Sequence, residues 1–252
     1  VAIRLELEAI IFDVDGTLSE TEEMHRAAFN RAFRDAELPW HWDRALYGEL
    51  LKVTGGKERL RHFLHTQGLE SDTAGQPALV ASLHERKTAY YGELVRSGAA
   101  PLRRGFGPLI RQARSAGVRL AIATTTSLPN VHALLHASLG SEGVSQFEVI
   151  AAGDTVAQKK PAPDIYLQVL AQLRLAPRSC LAVEDSHQGL EAARAAAIAT
   201  LIVRSTYTRL DDFAGAALVV DELEELSGTP PEDPDLLGAL RALHERTTRD
   251  PG

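Results

Sequence analysis

The chain has 252 residues, 44% of them hydrophobic and 24% charged, with 34 Asp and Glu against 27 Lys and Arg and a formal net charge of −7. This is the composition of a globular protein with ample core for one large or two small domains, and the acidic balance argues against general nucleic-acid binding and against a membrane surface. The lone Cys180 excludes an intrachain disulfide framework and no apolar run approaches ~20 residues, so a cytoplasmic protein is expected, or one in an organelle stroma if a transit peptide has been removed.

The first predicted strand is the apolar run Ala9–Phe12, followed directly by Asp13-Val14-Asp15-Gly16-Thr17-Leu18. Residues two apart on a strand share a face, so Asp13 and Asp15 converge on one space, and Gly16 lets the backbone turn sharply after them. Two carboxylates at the mouth of a buried strand cost free energy unless a cation or a reaction uses them. That marks a site.

Residues 20–95 offer helical patterns at 22–34, 49–51, 58–66 and 79–94 with no convincing strand, which predicts a helical insertion hinged at 18–20 and 97–100. Within it, Thr54-Gly55-Gly56-Lys57 precedes a helix. Free N–H groups beside a lysine there suit an anion cradle, and a flexible loop between helices explains them equally well. His84-Glu85-Arg86-Lys87 forms a second basic cluster, of a kind that also makes the wet face of an amphipathic helix. Residues 70–77 read as a loop.

After the insertion, strands at 118–123, 147–151, 180–183, 200–203 and 218–220 alternate with helices at 108–115, 131–139, 163–173 and 188–196. The second strand runs into Thr124-Thr125-Thr126, and Ser127 and Asn130 flank a proline suited to a first helical turn. Residues 221–225 and 229–234 read as surface loop, 236–246 as a terminal helix and 247–252 as a frayed tail. Strands that are unbroken apolar runs suit a parallel sheet covered on both faces. The expectation is an α/β fold, a doubly wound parallel sheet formed by 1–19 and 97–252, with a helical cap of residues 20–96 inserted after the first strand.

In such sheets ligands bind at the carboxyl ends of the strands. Asp13 and Asp15, Thr124 to Thr126, Lys160, and Glu184-Asp185 all fall there in chain order. Each is weak alone, since a surface turn, a strand end, a solvated loop or a helix cap explains it. Together they suit a hard cation and a phosphoryl group.

These residues resemble the four motifs of the haloacid dehalogenase-like hydrolases: Asp13-Val14-Asp15-Gly16-Thr17, Ile122-Ala123-Thr124, Lys160-Pro161 and Val183-Glu184-Asp185-Ser186. The resemblance implies a Rossmann-like core, and the cap after the first motif resembles the β-phosphoglucomutase-like subgroup. It implies Asp13 as nucleophile forming an aspartyl-phosphate, Asp15 as general acid and base, Thr124 as phosphoryl donor, and Lys160 as a charge between Asp13 and the phosphoryl group. It implies Mg²⁺ held by Asp13, Asp15 (through its carbonyl) and Asp185, with Glu184 nearby.

Thr21-Glu22-Glu23-Met24-His25, Thr54-Gly55-Gly56-Lys57-Glu58-Arg59, the run from Ala123 to Asn130, and Lys159-Lys160-Pro161-Ala162-Pro163-Asp164-Ile165-Tyr166 are similar to the CbbY family of Calvin-cycle phosphatases acting on xylulose 1,5-bisphosphate. That resemblance implies a sugar-phosphate substrate touched by Glu22, Thr54, Gly55, Gly56, Lys57, His84, Arg86, Lys87, Thr125, Thr126, Ser127 and Asn130. A bisphosphate needs cations for its distal phosphate, and Lys57 with the basic cluster is the expected source, so Lys57→Ala should raise KM for a bisphosphate more than for a monophosphate. A β-phosphoglucomutase-like phosphomutase, a phosphatase for another small ester such as phosphoglycolate, and a silent binding module are the alternatives. A monomer is expected. Family members have Pro-Gly where the chain leaves the cap; here Arg103-Arg104-Gly105 stands instead, and the lost φ restriction predicts a looser junction.

Overall fold

The computed structural model describes residues 6–69, 75–98, 100–227 and 234–249. Six parallel strands form one sheet: β1 (Ala9–Phe12), β2 (Arg119–Thr124), β3 (Val149–Ala152), β4 (Cys180–Glu184), β5 (Ala199–Val203) and β6 (Leu218–Val220), in the order β3-β2-β1-β4-β5-β6. The chain winds outward from β1 to β3, crosses back, and winds outward again from β4, so the topological switch lies between β1 and β4. In this register Phe12 lies opposite Ile122 on one side and Val183 on the other. Asp13 therefore leaves the sheet beside Ala123 and Glu184.

Alternation explains why the strands read as unbroken apolar runs. Ile10, Phe12, Leu120, Ile122, Leu181 and Val183 point to one face and pack under α5 (Phe106–Ser115), α6 (Leu128–Leu139) and α9 (Leu236–Arg249). Ala9, Ile11, Ala121, Ala123, Cys180 and Ala182 point to the other, under α7 (Asp164–Leu173) and α8 (His187–Ala195). Both faces are buried, as in other doubly wound sheets.

Between β1 and α5 come four helices: α1 (Glu22–Asp35), α2 (Arg44–Leu50), α3 (Gly56–Thr66) and α4 (Gly75–Arg96). Their outer parts enclose a second apolar cluster around Phe29, Phe33, Trp42, Phe63, Val80 and Leu83. The inner ends of α1 and α4 do not belong to it. Met24, Ala28, Tyr91 and Val95 pack with the sheet-side cluster.

Several expectations need adjusting. The helix read at 49–51 is α2, started at 44 by the Asp43 carboxylate accepting from Leu46 N at 2.8 Å. α4 begins at Gly75 with Pro77 in its first turn, so only 70–74 of the expected loop remain, outside the described residues. The acidic stretch at 221–225 is not simply loop. A capping box between Glu222 and Glu225 opens a 3-10 turn, Leu223–Leu226, that buries Leu223. The terminal helix extends to Arg249, with the Thr247 and Thr248 hydroxyls donating to His244 O, while 229–233 and 250–252 lie outside the described residues.

The cap junction is not loose either. The Arg103 guanidinium, on a side chain 8% exposed, donates to four carbonyls: Gly16 O (2.5 Å), Val203 O (3.1 Å), Arg204 O (2.7 Å) and Asp221 O (3.1 Å). Arg103 N donates to Leu18 O at 2.8 Å, and Ser19 Oγ to Pro101 O at 2.7 Å. The staple supplies the restraint that proline would have given through φ. Ala99 lies outside the described residues. Among the described residues no helix is long and apolar enough to cross a membrane.

Candidate active site

The loop after β1 turns at Gly16, whose φ of +86° excludes ordinary side chains and whose added Cβ would lie 2.2 Å from Asp185 Oδ2. The glycine thus lets the first motif approach the end of β4. There Lys160 Nζ donates to Asp13 Oδ1 at 2.6 Å, Glu184 Oε1 at 2.5 Å and Ala123 O at 2.8 Å. Tyr166 OH donates to the same Glu184 oxygen at 2.5 Å. Asp185 accepts from Thr17 Oγ1 and Thr208 Oγ1, each at 3.2 Å.

One ammonium faces three buried carboxylates. Burial, then the neighbouring acids against the pull of Lys160, raises the Asp13 carboxyl to about 7. Burial and the charges of Asp13 and Glu184 push Asp185 well above the usual carboxylate range. Lys160 is held firmly protonated: burial works against its charge, and Asp13 and Glu184 overcome that.

The cap supplies the opposite wall. Asp15 accepts from Thr21 Oγ1 at 2.5 Å and lies 2.9 Å from His25 Nε2. Its burial favours the neutral acid, yet His25, Thr21 and Lys87 outweigh this and hold it below the usual range. The His25 ring stacks on Tyr91 with centroids 4.0 Å apart. Lys87 is 5% exposed, and burial, partly countered by Asp15, lowers its pKa to about 8. Arg59 is equally enclosed, donating to Leu50 O and to the Tyr47 hydroxyl, which in turn donates to Glu22 at 2.7 Å.

Core and cap walls enclose a cavity of about 470 Å³. Of the residues expected from sequence, Asp13, Asp15, Glu22, Thr54, Gly55, Gly56, Lys87, Thr124, Thr125, Thr126, Lys160 and Asp185 line it. Glu184 lies fully buried beneath it. Lys57, His84, Arg86, Ser127 and Asn130 are not among the lining residues. Arg86 donates outward to Asp35 O, His84 lies against Gly56, and Asn130 donates to Thr126 Oγ1 at 3.2 Å, one step behind the wall.

The match to known proteins follows this arrangement. The family model for haloacid dehalogenase-like hydrolases matches residues 7–197, which contain every acid and the lysine of the cluster. The chain belongs to the haloacid dehalogenase-like hydrolases. It is an enzyme, a phosphatase of that family. It is 49% identical over 222 residues to Protein CbbY of Cereibacter sphaeroides, covering 88% of this chain and 95% of that protein. Crystal structures of CbbY from Rhodobacter sphaeroides, one with phosphate and one of an Asp-to-Asn mutant with xylulose-(1,5)bisphosphate, each superpose with a TM-score of 0.83 at 48% identity, covering 90% of this chain and 99% of theirs. The β-phosphoglucomutase of Bacillus subtilis is 29% identical over 224 residues, covering 88% of this chain and 92% of that protein.

The acid cluster of this haloacid dehalogenase-like hydrolase fits a dication. Ligand oxygens of Asp13, Glu184 and Asp185 lie within 4.8 Å of one another, and Glu184 Oε2 is buried with no hydrogen-bond partner. All donors are hard oxygens, and three carboxylates against one ammonium leave an excess of two negative charges when ionised.

Sequence reasoning missed Arg44, Lys52, Tyr207 and Thr208 as cavity-lining residues, and it left His25 and Arg59, which stand in the runs similar to the CbbY family, outside the expected contacts. Arg59 lies on the helix whose N-terminus was singled out, one turn along the same face as Gly55 and Gly56. Tyr207 and Thr208 come from the loop after β5, which carries no motif.

Proposed function

We propose that the chain is a Mg²⁺-dependent sugar-bisphosphate phosphatase, with xylulose 1,5-bisphosphate as the leading substrate. The observation that carries this is one cavity with cations on both walls: Lys160 beside the acids of the core, and Arg59 and Lys87 on the cap opposite. A sugar with a phosphate at each end needs both. The CbbY mutant crystallised with xylulose-(1,5)bisphosphate supports that ligand class.

In the first half-reaction an Asp13 oxygen attacks phosphorus, the bond from phosphorus to the sugar oxygen breaks, and Asp15 gives that oxygen a proton. In the second, Asp15 takes a proton from water, whose oxygen attacks the aspartyl-phosphate, releasing inorganic phosphate and restoring Asp13. The depressed Asp15 carboxyl is already set for the second role. For the first, a phosphoryl dianion brought close to it raises its proton affinity. Lys160 lowers the repulsion between Asp13 and the incoming phosphoryl group, and the Thr124 hydroxyl donates to that group. Mg²⁺ held by Asp13, Asp185 and the carbonyl of Asp15 would offset the charge of the acids and of the phosphoryl group. The helical unit from 20 to 96 acts as the cap that selects the sugar.

The test is phosphate release from a panel of sugar mono- and bisphosphates, with and without Mg²⁺, with identification of the products. Release favouring ketopentose bisphosphates, dependent on Mg²⁺ and abolished by Asp13→Asn, is expected. An isomerised sugar phosphate without free phosphate would overturn the reading in favour of a mutase.

A further inference from the structure

Lys160 must keep its ammonium between Asp13 and Glu184, yet its backbone sits in an irregular segment between the 3-10 turn Gly153–Thr155 and α7. The cap grips that segment twice. The Thr54 hydroxyl donates to the Lys160 carbonyl, and the neighbouring Lys159 Nζ pairs with Glu58 Oε2 at 3.2 Å. Both cap residues flank the start of α3, whose Arg59 faces the cavity.

Gly55 makes this grip possible. Its φ is +89°, and an added Cβ would lie 2.3 Å from Glu58 Oε2 and 2.7 Å from Lys159 Cδ. The ion pair lies across the glycine. The glycine pair that reads as an anion cradle in the sequence therefore also clears space for a contact between cap and core. A second cavity, of about 480 Å³, opens beside it and is lined by Thr54, Glu58, Lys159 and Lys160 among others.

We propose that Thr54 and Glu58 are positioning residues for Lys160: the cap holds the 159–160 segment so that the lysine meets Asp13 in register. This rests on the phosphatase reading for its kinetic consequence. The Glu58 Oε2 that meets Lys159 is itself buried and makes no hydrogen bond, so the pair is an ion contact without hydrogen-bond geometry between side chains 38% and 15% exposed, and its loss should lower kcat by about three- to five-fold. KM should stay within about twofold, because neither Glu58 nor Lys159 lines the cavity between the acids and the cap cations.

The experiment compares kcat and KM for Glu58→Gln, Lys159→Gln, the double variant and the exchanged pair Glu58→Lys with Lys159→Glu. In parallel, Lys160 labelling by an amine-reactive reagent is followed by mass spectrometry. The proposal expects each single variant to lose kcat, the double to be no worse than either single, the exchange to recover at least half of the parent rate, and Lys160 labelling to speed up in both singles. Thr54→Val, compared with the hydroxyl-retaining Thr54→Ser, tests the second contact if the charge variants do not fold. Additive losses, an exchange no better than the singles, or unchanged Lys160 labelling would overturn the proposal. A parent that releases no phosphate refutes the phosphatase reading instead, and the labelling rates still decide the positioning role.

Discussion

Lys87 is where the cavity costs the protein stability. Burial strips its ammonium of hydration and lowers its pKa from 10.5 to about 8 despite the attraction of Asp15. At about 1.36 kcal/mol per unit, this is about 3 kcal/mol of folding free energy at neutral pH. The sign follows from proton counting. Below about pH 8 the lysine is charged in folded and unfolded chains alike and the full penalty applies. Between about 8 and 10.5 the unfolded chain holds a proton that the folded one has released, so stability rises with pH. Lys87→Met keeps the stem and removes the charge. The attraction for Asp15 is already contained in the lowered pKa, so what the substitution further forfeits is the pair of ammonium contacts with the rings of Phe29 at 5.1 Å and Tyr91 at 5.4 Å. These offset about 1–2 kcal/mol, leaving a net gain of about 1–2 kcal/mol at pH 7 and roughly 2–8 °C in Tm. Urea unfolding of parent and variant at pH 7 and 9.5 measures this, with phosphate-release kinetics alongside. The variant should be the more stable at pH 7, the gap should narrow at 9.5, and KM for a bisphosphate should rise by about tenfold. A variant less stable than the parent at pH 7, or a gap that does not narrow, would refute the reasoning.

Two further outcomes are expected. Arg103→Met orphans four carbonyls and should cost about 2–4 kcal/mol in urea unfolding, whereas Arg104→Ala, which loses an exposed pair with Glu224, should stay within about 0.5 kcal/mol; equal effects would refute the staple. The Cys180 thiol, fully buried and pushed up to about 12 chiefly by that burial, should resist iodoacetamide at pH 8 in the native protein and react once unfolded in urea; rapid native labelling would contradict the burial.

The sheet was legible because its strands are short, unbroken apolar runs between helices of ordinary length, and each of the six appears within two residues of its expected bounds. The acids and Lys160 were legible for a related reason: parallel topology gathers strand ends at one edge, so chain order alone predicts neighbours. The cap side was less so. An amphipathic pattern says that the run from His84 to Lys87 has a wet face, but not that Lys87 turns inward while Arg86 turns out. Arg59 and Lys57 are two residues apart on one helix, and only packing decides which of them faces the cavity. Arg103 was invisible as an anchor because its partners are backbone carbonyls from three distant parts of the chain, which leave no side-chain signature.

The two apolar clusters have a consequence for how the molecule comes apart. α1 contributes Met24 and Ala28 to the sheet-side cluster and Phe29 and Phe33 to the outer one, and α4 divides likewise between Tyr91 and Val95 and Val80 and Leu83. Detaching the insertion as a whole would strip Met24, Ala28, Tyr91 and Val95 from the sheet-side cluster, so these two helices couple the insertion to the sheet. Proteolytic release of the insertion should therefore report disruption of the sheet-side core and not the detachment of a separate module.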